Sequence, residues 1–147
     1  MKSTKEENEG NDQYINQAKQ TITMKFLLDA NFLMIPGKFR VDIFTELERF
    51  GKPELYTLDR VKTELKNLSS SKGKASRYAK LALTLIEKKK IRVLPTKGRE
   101  TDREIARTAS GQGLAVCTQD RKLKKALLGK GLPVVTLRQK KYLVIEK

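Results

Sequence analysis

Four carboxylates stand where an ordinary folded chain has little use for them. Asp29 follows directly on the apolar run Phe26-Leu27-Leu28. Such a run, bounded by polar residues, fits a buried strand of a parallel sheet. A carboxylate at the carboxyl end of that strand faces the crevice where open α/β sheets bind ligands. Asp120 stands just past a second apolar run, Leu114-Ala115-Val116-Cys117. Glu64 shares a helical face with Val61, Leu65 and Leu68, the side on which an unpaired charge is costly. Asp102 continues the stripe of Ile105, Ala106 and Ala109 one turn back. Three of these acids have a plainer explanation beside the chemical one. Asp102 and Asp120 suit helix starts through capping and the helix dipole, and Glu64 at the edge of its stripe can reach Lys62 or Lys66. Asp29 resists that explanation, because Asn31 is available to cap whatever follows it.

Strand ends and helix starts share one edge of a right-handed βαβ sheet. Three or four carboxylates gathered at that edge cannot all stay ionised without cations. All-oxygen ligation without His or Cys suits a hard ion, Mg²⁺ or Mn²⁺. Such an ion lowers the pKa of bound water, orients a phosphodiester and stabilises the leaving oxygen. Two ions roughly 3.5–4 Å apart would clamp both sides of the displacement.

The charge balance supplies a substrate class. Lys and Arg number 32 against 17 Asp and Glu, a net charge of +15 over 147 residues. That excess suits a polyanion, nucleic acid first; the bland reading is a lysine-rich solvated surface. There is no histidine, which excludes His-dependent triads, His general bases and His-ligated zinc. The single cysteine, Cys117, excludes a disulfide framework and reads as a buried structural thiol. No apolar stretch approaches membrane-spanning length and no signal-peptide core is seen, so a cytoplasmic protein with no membrane contact is expected.

The elements that must position the acids can be read in turn. Residues 1–23 are polar, carry a net charge of −1 and lack apolar periodicity. They read as a disordered tail, leaving +16 on a domain spanning 24–147. Met24, at the head of the first strand, is an alternative start. Residues 38–50 have helical spacing ended by Gly51 and Pro53. A strand at 55–58 precedes Asp59, placed to cap a helix over 60–68. A basic loop, 69–74, leads to a helix over 75–90 with Ala75, Tyr78, Ala79, Ala82, Leu85 and Ile86 inward, then a strand at 91–94. Thr101-Asp102-Arg103-Glu104 matches a capping box for a helix to about 110. A strand at 114–118, a helix over 120–128 and strands at 134–137 and 142–145 complete the chain. The alternation implies an α/β fold, a three-layer α/β/α sandwich around a mostly parallel central sheet.

In this order and setting, the motifs resemble those of the PIN-domain ribonucleases. That family's set is an Asp after the first strand, an inward Glu on a following helix, an Asp opening a later helix, and a T-x-D turn. Here these match Leu28-Asp29-Ala30-Asn31, Thr63-Glu64-Leu65, Thr101-Asp102-Arg103-Glu104 and Thr118-Gln119-Asp120, and the resemblance covers about 24–145. It implies Asp29, Glu64, Asp102 and Asp120 as catalytic ligands of a divalent metal, with Asn31 and Thr118 as supporting residues. It also implies RNA cleaved by metal-activated water, and likeness to archaeal rRNA-processing members and VapC-type toxins. Some members carry a further acid shortly after the fourth, whereas Arg121 and Lys122 follow here, which favours one metal over two. Lys72, Lys74, Arg77, Arg121, Lys122, Lys124 and Lys125 are expected at RNA phosphates, where contacts position without reading sequence. Lys88-Lys89-Lys90 read as solvated surface, and Tyr56 and Tyr78 as core. A homodimer, an antitoxin or a ribosome-assembly partner would fit the same likeness.

The leading expectation is therefore a metal-dependent endoribonuclease. The alternative is a non-catalytic, ribosome-associated RNA-binding module, which would not require all four acids. A phosphatase with Asp29 as nucleophile fits poorly, since such sites want a second Asp where Asn31 stands.

Overall fold

The computed structural model describes residues 22–98 and 100–147. Of the expected tail, only Ile22 and Thr23 fall within it. Among these residues six strands form one sheet in the order β3-β2-β1-β4-β5-β6. They are β1 (Thr23–Leu28), β2 (Lys52–Leu58), β3 (Arg92–Leu94), β4 (Ala115–Cys117), β5 (Val134–Arg138) and β6 (Tyr142–Glu146). All pairings are parallel except β5 with β6. Among the described residues seven helices accompany them: α1 (Ala30–Leu33), α2 (Ile35–Phe39), α3 (Ile43–Glu48), α4 (Asp59–Ser69), α5 (Lys74–Lys88), α6 (Thr101–Gln112) and α7 (Arg121–Gly129).

The strand order reverses beside β1. From β1 the chain moves outward to β2 and β3, then crosses back to β4 and continues to β5. Right-handed crossovers place α4 and α5 on one face and α6 and α7 on the other. This is the expected α/β sandwich, and the crevice between β1 and β4 is its topological switch point. The central strands carry the core: Phe26, Leu27, Leu28, Leu58, Leu114, Val116, Val134 and Val135 are at most 1% exposed. Both faces of the sheet are covered, so these strands read as continuous apolar runs rather than alternating ones.

Several local expectations need correction. The helix expected over 38–50 is two helices. Arg40 adopts a left-handed backbone with φ 57° at the end of α2, and Asp42 then caps α3 by accepting from the backbone N of Phe44 and Thr45 at 3.1 and 3.2 Å. The apolar spacing runs across the break because both pieces face one core. Asp42→Ala should cost about 1 kcal/mol, the usual worth of such a cap, read by urea unfolding. Pro53 does not precede β2 but lies inside it. The missing N–H is tolerated because β3 pairs only with Tyr56, Thr57 and Leu58.

Asp59 does not cap α4 from outside. It occupies the first turn, and its carboxylate accepts from Thr96 N at 3.2 Å and Thr96 Oγ1 at 2.6 Å. The capping box at Thr101 is not formed either: Glu100 is the N-cap residue and makes no side-chain cap. Glu104 is buried and accepts instead from Gly98 N and from Arg107. The same loop is held from the other side by Arg60, whose guanidinium donates to Gly98 O at 2.6 Å. Helix α6 passes Ser110 and Gly111 and ends at Gly113, where φ is 65°. Ala75 is exposed, and Ser76 takes the inward place beside Ala79, Ala82 and Ile86. Cys117 is fully buried, and burial pushes its thiol well above the usual range. Among the described residues no helix is long and apolar enough to cross a membrane.

Candidate functional site

Register brings Asp29 and Thr118 together. Leu28 pairs with Cys117, so the next residue on each strand stands at the same level of the carboxyl edge. Asp29 N donates to Cys117 O at 3.0 Å and Thr118 N to Val135 O at 3.1 Å, which extends the sheet one step beyond its last paired residues. The Asp29 side chain is 8% exposed. Its Oδ1 accepts from Ala30 N at 2.8 Å and its Oδ2 from Thr118 Oγ1 at 2.9 Å. The Thr118 hydroxyl also accepts from Asp120 N at 3.2 Å, linking two of the acids through one oxygen.

Asn31 straps the two strand ends to each other. Its Oδ1 accepts from Gln119 N at 2.9 Å, while its Nδ2 reaches Asp29 Oδ2 at a long 3.4 Å. Asp120 caps α7 through Oδ1, which accepts from Lys122 N at 2.9 Å and Leu123 N at 3.1 Å. The capping reading of Asp120 therefore holds: Oδ1 caps the helix, and Oδ2 takes no part in the cap.

Glu64 and Asp102 approach from opposite faces, on α4 and α6. Neither is buried, which corrects the expectation that Glu64 sits on the inward side; Val61 and Leu65 fill that side and leave Glu64 at the rim. Three of the acids nevertheless have raised carboxyls, with neighbouring acids among the causes. Burial pushes the Asp29 carboxyl up, and Asp102 and Asp120 add to the shift. Partial loss of solvent at the rim, then Asp29 and Asp102, raises Glu64. Partial loss of solvent, then Asp120 and Glu100, raises Asp102, with Lys122 opposing. Among the described residues no three carboxylates stand close enough to hold one ion as they are placed. The donor chemistry fits a hard cation all the same: the acids are oxygen donors only, and their mutual repulsion is what such a charge relieves.

The basic residues divide. Lys72, Lys74, Arg77, Arg121, Lys122 and Lys125 are exposed. Because α5 ends where β3 begins, its first turn with Lys74 and Arg77 lies toward the carboxyl edge. Lys124 is committed elsewhere, to Glu146 Oε1 at 2.6 Å. Lys88, Lys89 and Lys90 are exposed as expected, Tyr56 is buried, and Tyr78 is half-buried against Gly37. Three supporting residues escaped the sequence reading. Thr57, fully buried, donates from Oγ1 to Leu28 O at 2.7 Å, just before Asp29. Gln119 Oε1 accepts from Leu137 N at 2.7 Å and ties the T-x-D turn to β5. Glu104 anchors the loop that leads into α6. A hydroxyl at the end of an apolar strand was the one available signal, and it applied to Thr57 as much as to Thr118.

With this geometry in view, comparisons with known proteins are specific. Residues 26–140 match the model of the PIN like domain. Ribonuclease VapC4 of Methanocaldococcus jannaschii is 33% identical over 127 residues, covering 82% of this chain and 95% of that protein. Ribonuclease VapC9 of Archaeoglobus fulgidus is 31% identical over 121 residues, covering 82% and 87%. The PIN domain endonuclease Utp24 superposes with a TM-score of 0.68 at 22% identity, over 83% of this chain and 90% of that one, a likeness of fold. The chain belongs to the PIN-domain ribonuclease family.

Proposed function

We propose that this protein is a divalent-metal-dependent endoribonuclease whose acid cluster is Asp29, Glu64, Asp102 and Asp120. The observation that supports the reading is the joining of Asp29 and Asp120 through the Thr118 hydroxyl at the switch point of the sheet, where the carboxyls of Asp29, Glu64 and Asp102 are each raised, first by loss of solvent and then by neighbouring acids. Repelling carboxylates in one crevice cost stability unless a cation binds there. Mg²⁺ or Mn²⁺ would be held by these four side chains, one ion more readily than two, because Arg121 and Lys122 follow Asp120. When bound, the ion supplies a water nucleophile at neutral pH and stabilises charge on the phosphate. The chain's own residues do the rest. Thr118 and Asn31 hold Asp29 in place, Asp120 stays fixed by its cap, and exposed cations on α5 and α7 position the RNA backbone.

Two measurements test this. Purified protein with Mn²⁺ should cut single-stranded RNA internally, and chelator should stop it. Independently of activity, Mn²⁺ at about a hundred times its dissociation constant should stabilise the fold by about 2.7 kcal/mol. Asp29→Asn should lose most of that gain. No thermal shift with metal in the wild type would sink the metal site, and RNA binding without cutting would favour the non-catalytic module. Within the ribonuclease reading, the VapC names of two relatives favour a toxin paired with an antitoxin over an rRNA-processing role. Co-purification of a small partner encoded beside the gene is the expected result.

A further inference from the structure

Glu64 and Asp102 border two different depressions, on helices from the two faces of the sheet. Glu64 lines a cleft of about 660 Å³ between α4 and the loop after β3. Arg60, Thr63, Glu64 and Asn67 project into it from one face of α4, as positions three, four and seven apart must; Lys97 and Thr101 stand opposite. Asp102 lines a smaller groove of about 250 Å³ between α6 and α7. Its floor includes the buried Ala106, Leu123 and Leu127, and its rim carries Arg103, Lys122 and Lys130.

We propose that a single RNA strand crosses the acid cluster by lying in both depressions. Nucleotides on one side of the cut bond would occupy the α4 cleft, and those on the other side the α6–α7 groove. The point of cutting rests on the ribonuclease reading above; the path rests on the two depressions. Volumes of this order hold small-molecule ligands, so they suit unpaired nucleotides rather than a duplex. Each side offers cations for phosphate. Arg60 spends one N–H on Gly98 O, leaving the others of its five free to contact a phosphate.

The two sides differ in what they can read. Asn67 brings a donor and an acceptor together on one amide, and Thr63 and Thr101 add hydroxyls, the groups that recognise the edges of splayed-out bases. The α6–α7 groove has an apolar floor, which accepts any base or ribose face, and cations at its rim. Base preference therefore comes from the α4 side, while the α6–α7 side contributes affinity without preference.

The test uses the full-length wild-type protein in chelator, with short random-sequence single-stranded RNA carrying photoreactive thiouridine. Cross-links are expected on both the Arg60–Asn67 face of α4 and the α6–α7 groove. Asn67→Ala should alter base preference about tenfold at the positions that cross-link to α4, read by sequencing the bound pool. Lys130→Ala should reduce the salt dependence of binding by about one unit of slope and leave preference unchanged. Cross-links confined to one depression, or to another surface such as the outer edge of β6, overturn the path, as does an Asn67→Ala protein with unaltered preference. Cross-links in both depressions without Mn²⁺-dependent cutting would keep the path and sink the ribonuclease reading. Cutting with cross-links elsewhere would do the reverse.

Discussion

Asp29→Asn is expected to slow RNA cleavage by on the order of a thousandfold or more, without loss of the fold or of RNA binding. The substitution keeps the shape of a nearly buried side chain and its acceptor toward Ala30 N. What disappears is the charge that Glu64 senses from across the crevice. The amide cannot replace that charge as a ligand for a hard ion. Single-turnover cleavage in Mn²⁺, with melting curves alongside, measures both parts of the claim. The wild-type rate should also have an acid limb. Loss of solvent and neighbouring acids raise the carboxyls of Asp29, Glu64 and Asp102 from their ordinary values, and a ligand must be ionised to bind metal. Activity should therefore climb with pH through that raised range. Stability of the metal-free protein should move the opposite way. A folded-state pKa above the unfolded one means the fold holds the proton more tightly, so its contribution is present at low pH and fades as pH rises through the folded pKa. Asp29→Asn should flatten this decline. Cleavage at the wild-type rate by the variant would remove Asp29 from the chemistry altogether.

The parts of the fold that were legible are those where one signal dominates. Phe26-Leu27-Leu28 and Ala115-Val116-Cys117 are buried on both sides of the sheet, and continuous apolar runs have few other uses. The α4 stripe of Val61 and Leu65 and the α6 stripe of Ile105, Ala106 and Ala109 are buried where their periodicity put them. The failures occur where two local signals compete. Across 38–50 the apolar period continues through a helix break, because Arg40 reverses the backbone while Phe39 and Ile43 both remain packed at the core. At Asp59 and Glu104 an acid placed for capping bonds instead to the loop after β3, a partner tens of residues away in one case. Capping motifs describe what a helix can use, and tertiary contact decides which donor arrives first. Glu64 illustrates the limit for the site. It was expected inward and lies at the rim, because the pattern from Val61 to Leu68 resolves direction around a helix only coarsely and not how far the neighbouring layer extends. The strand-end pair was more transparent. Once β1 and β4 are adjacent and parallel, Asp29 and Thr118 must meet, although adjacency itself depends on the crossover from β3 and is invisible in either segment alone.

Thr118→Val probes that meeting point with the least change of shape. The residue is fully buried. Its hydroxyl donates to Asp29 Oδ2 at 2.9 Å and accepts from Asp120 N at 3.2 Å, so valine removes both bonds and fills the same space. Leaving buried polar groups short of a partner costs about 1–3 kcal/mol, and urea unfolding should register a loss in that range. Loss of a group that orients a metal ligand costs about 10–100-fold in affinity or activity, and cleavage should fall accordingly. The pH profile separates the two contributions. The Thr118 bond is the strongest influence lowering the Asp29 carboxyl, second only to the burial that raises it. Without that bond Asp29 should hold its proton to a higher pH still, moving the acid limb of cleavage toward alkaline values. Thr118→Ser keeps the hydroxyl and loses only a methyl group. It should leave the acid limb in place while sharing some of the loss in stability. If Thr118→Val and Thr118→Ser gave superimposable pH profiles, the hydroxyl would be a strut between two strand ends and would have no part in tuning Asp29.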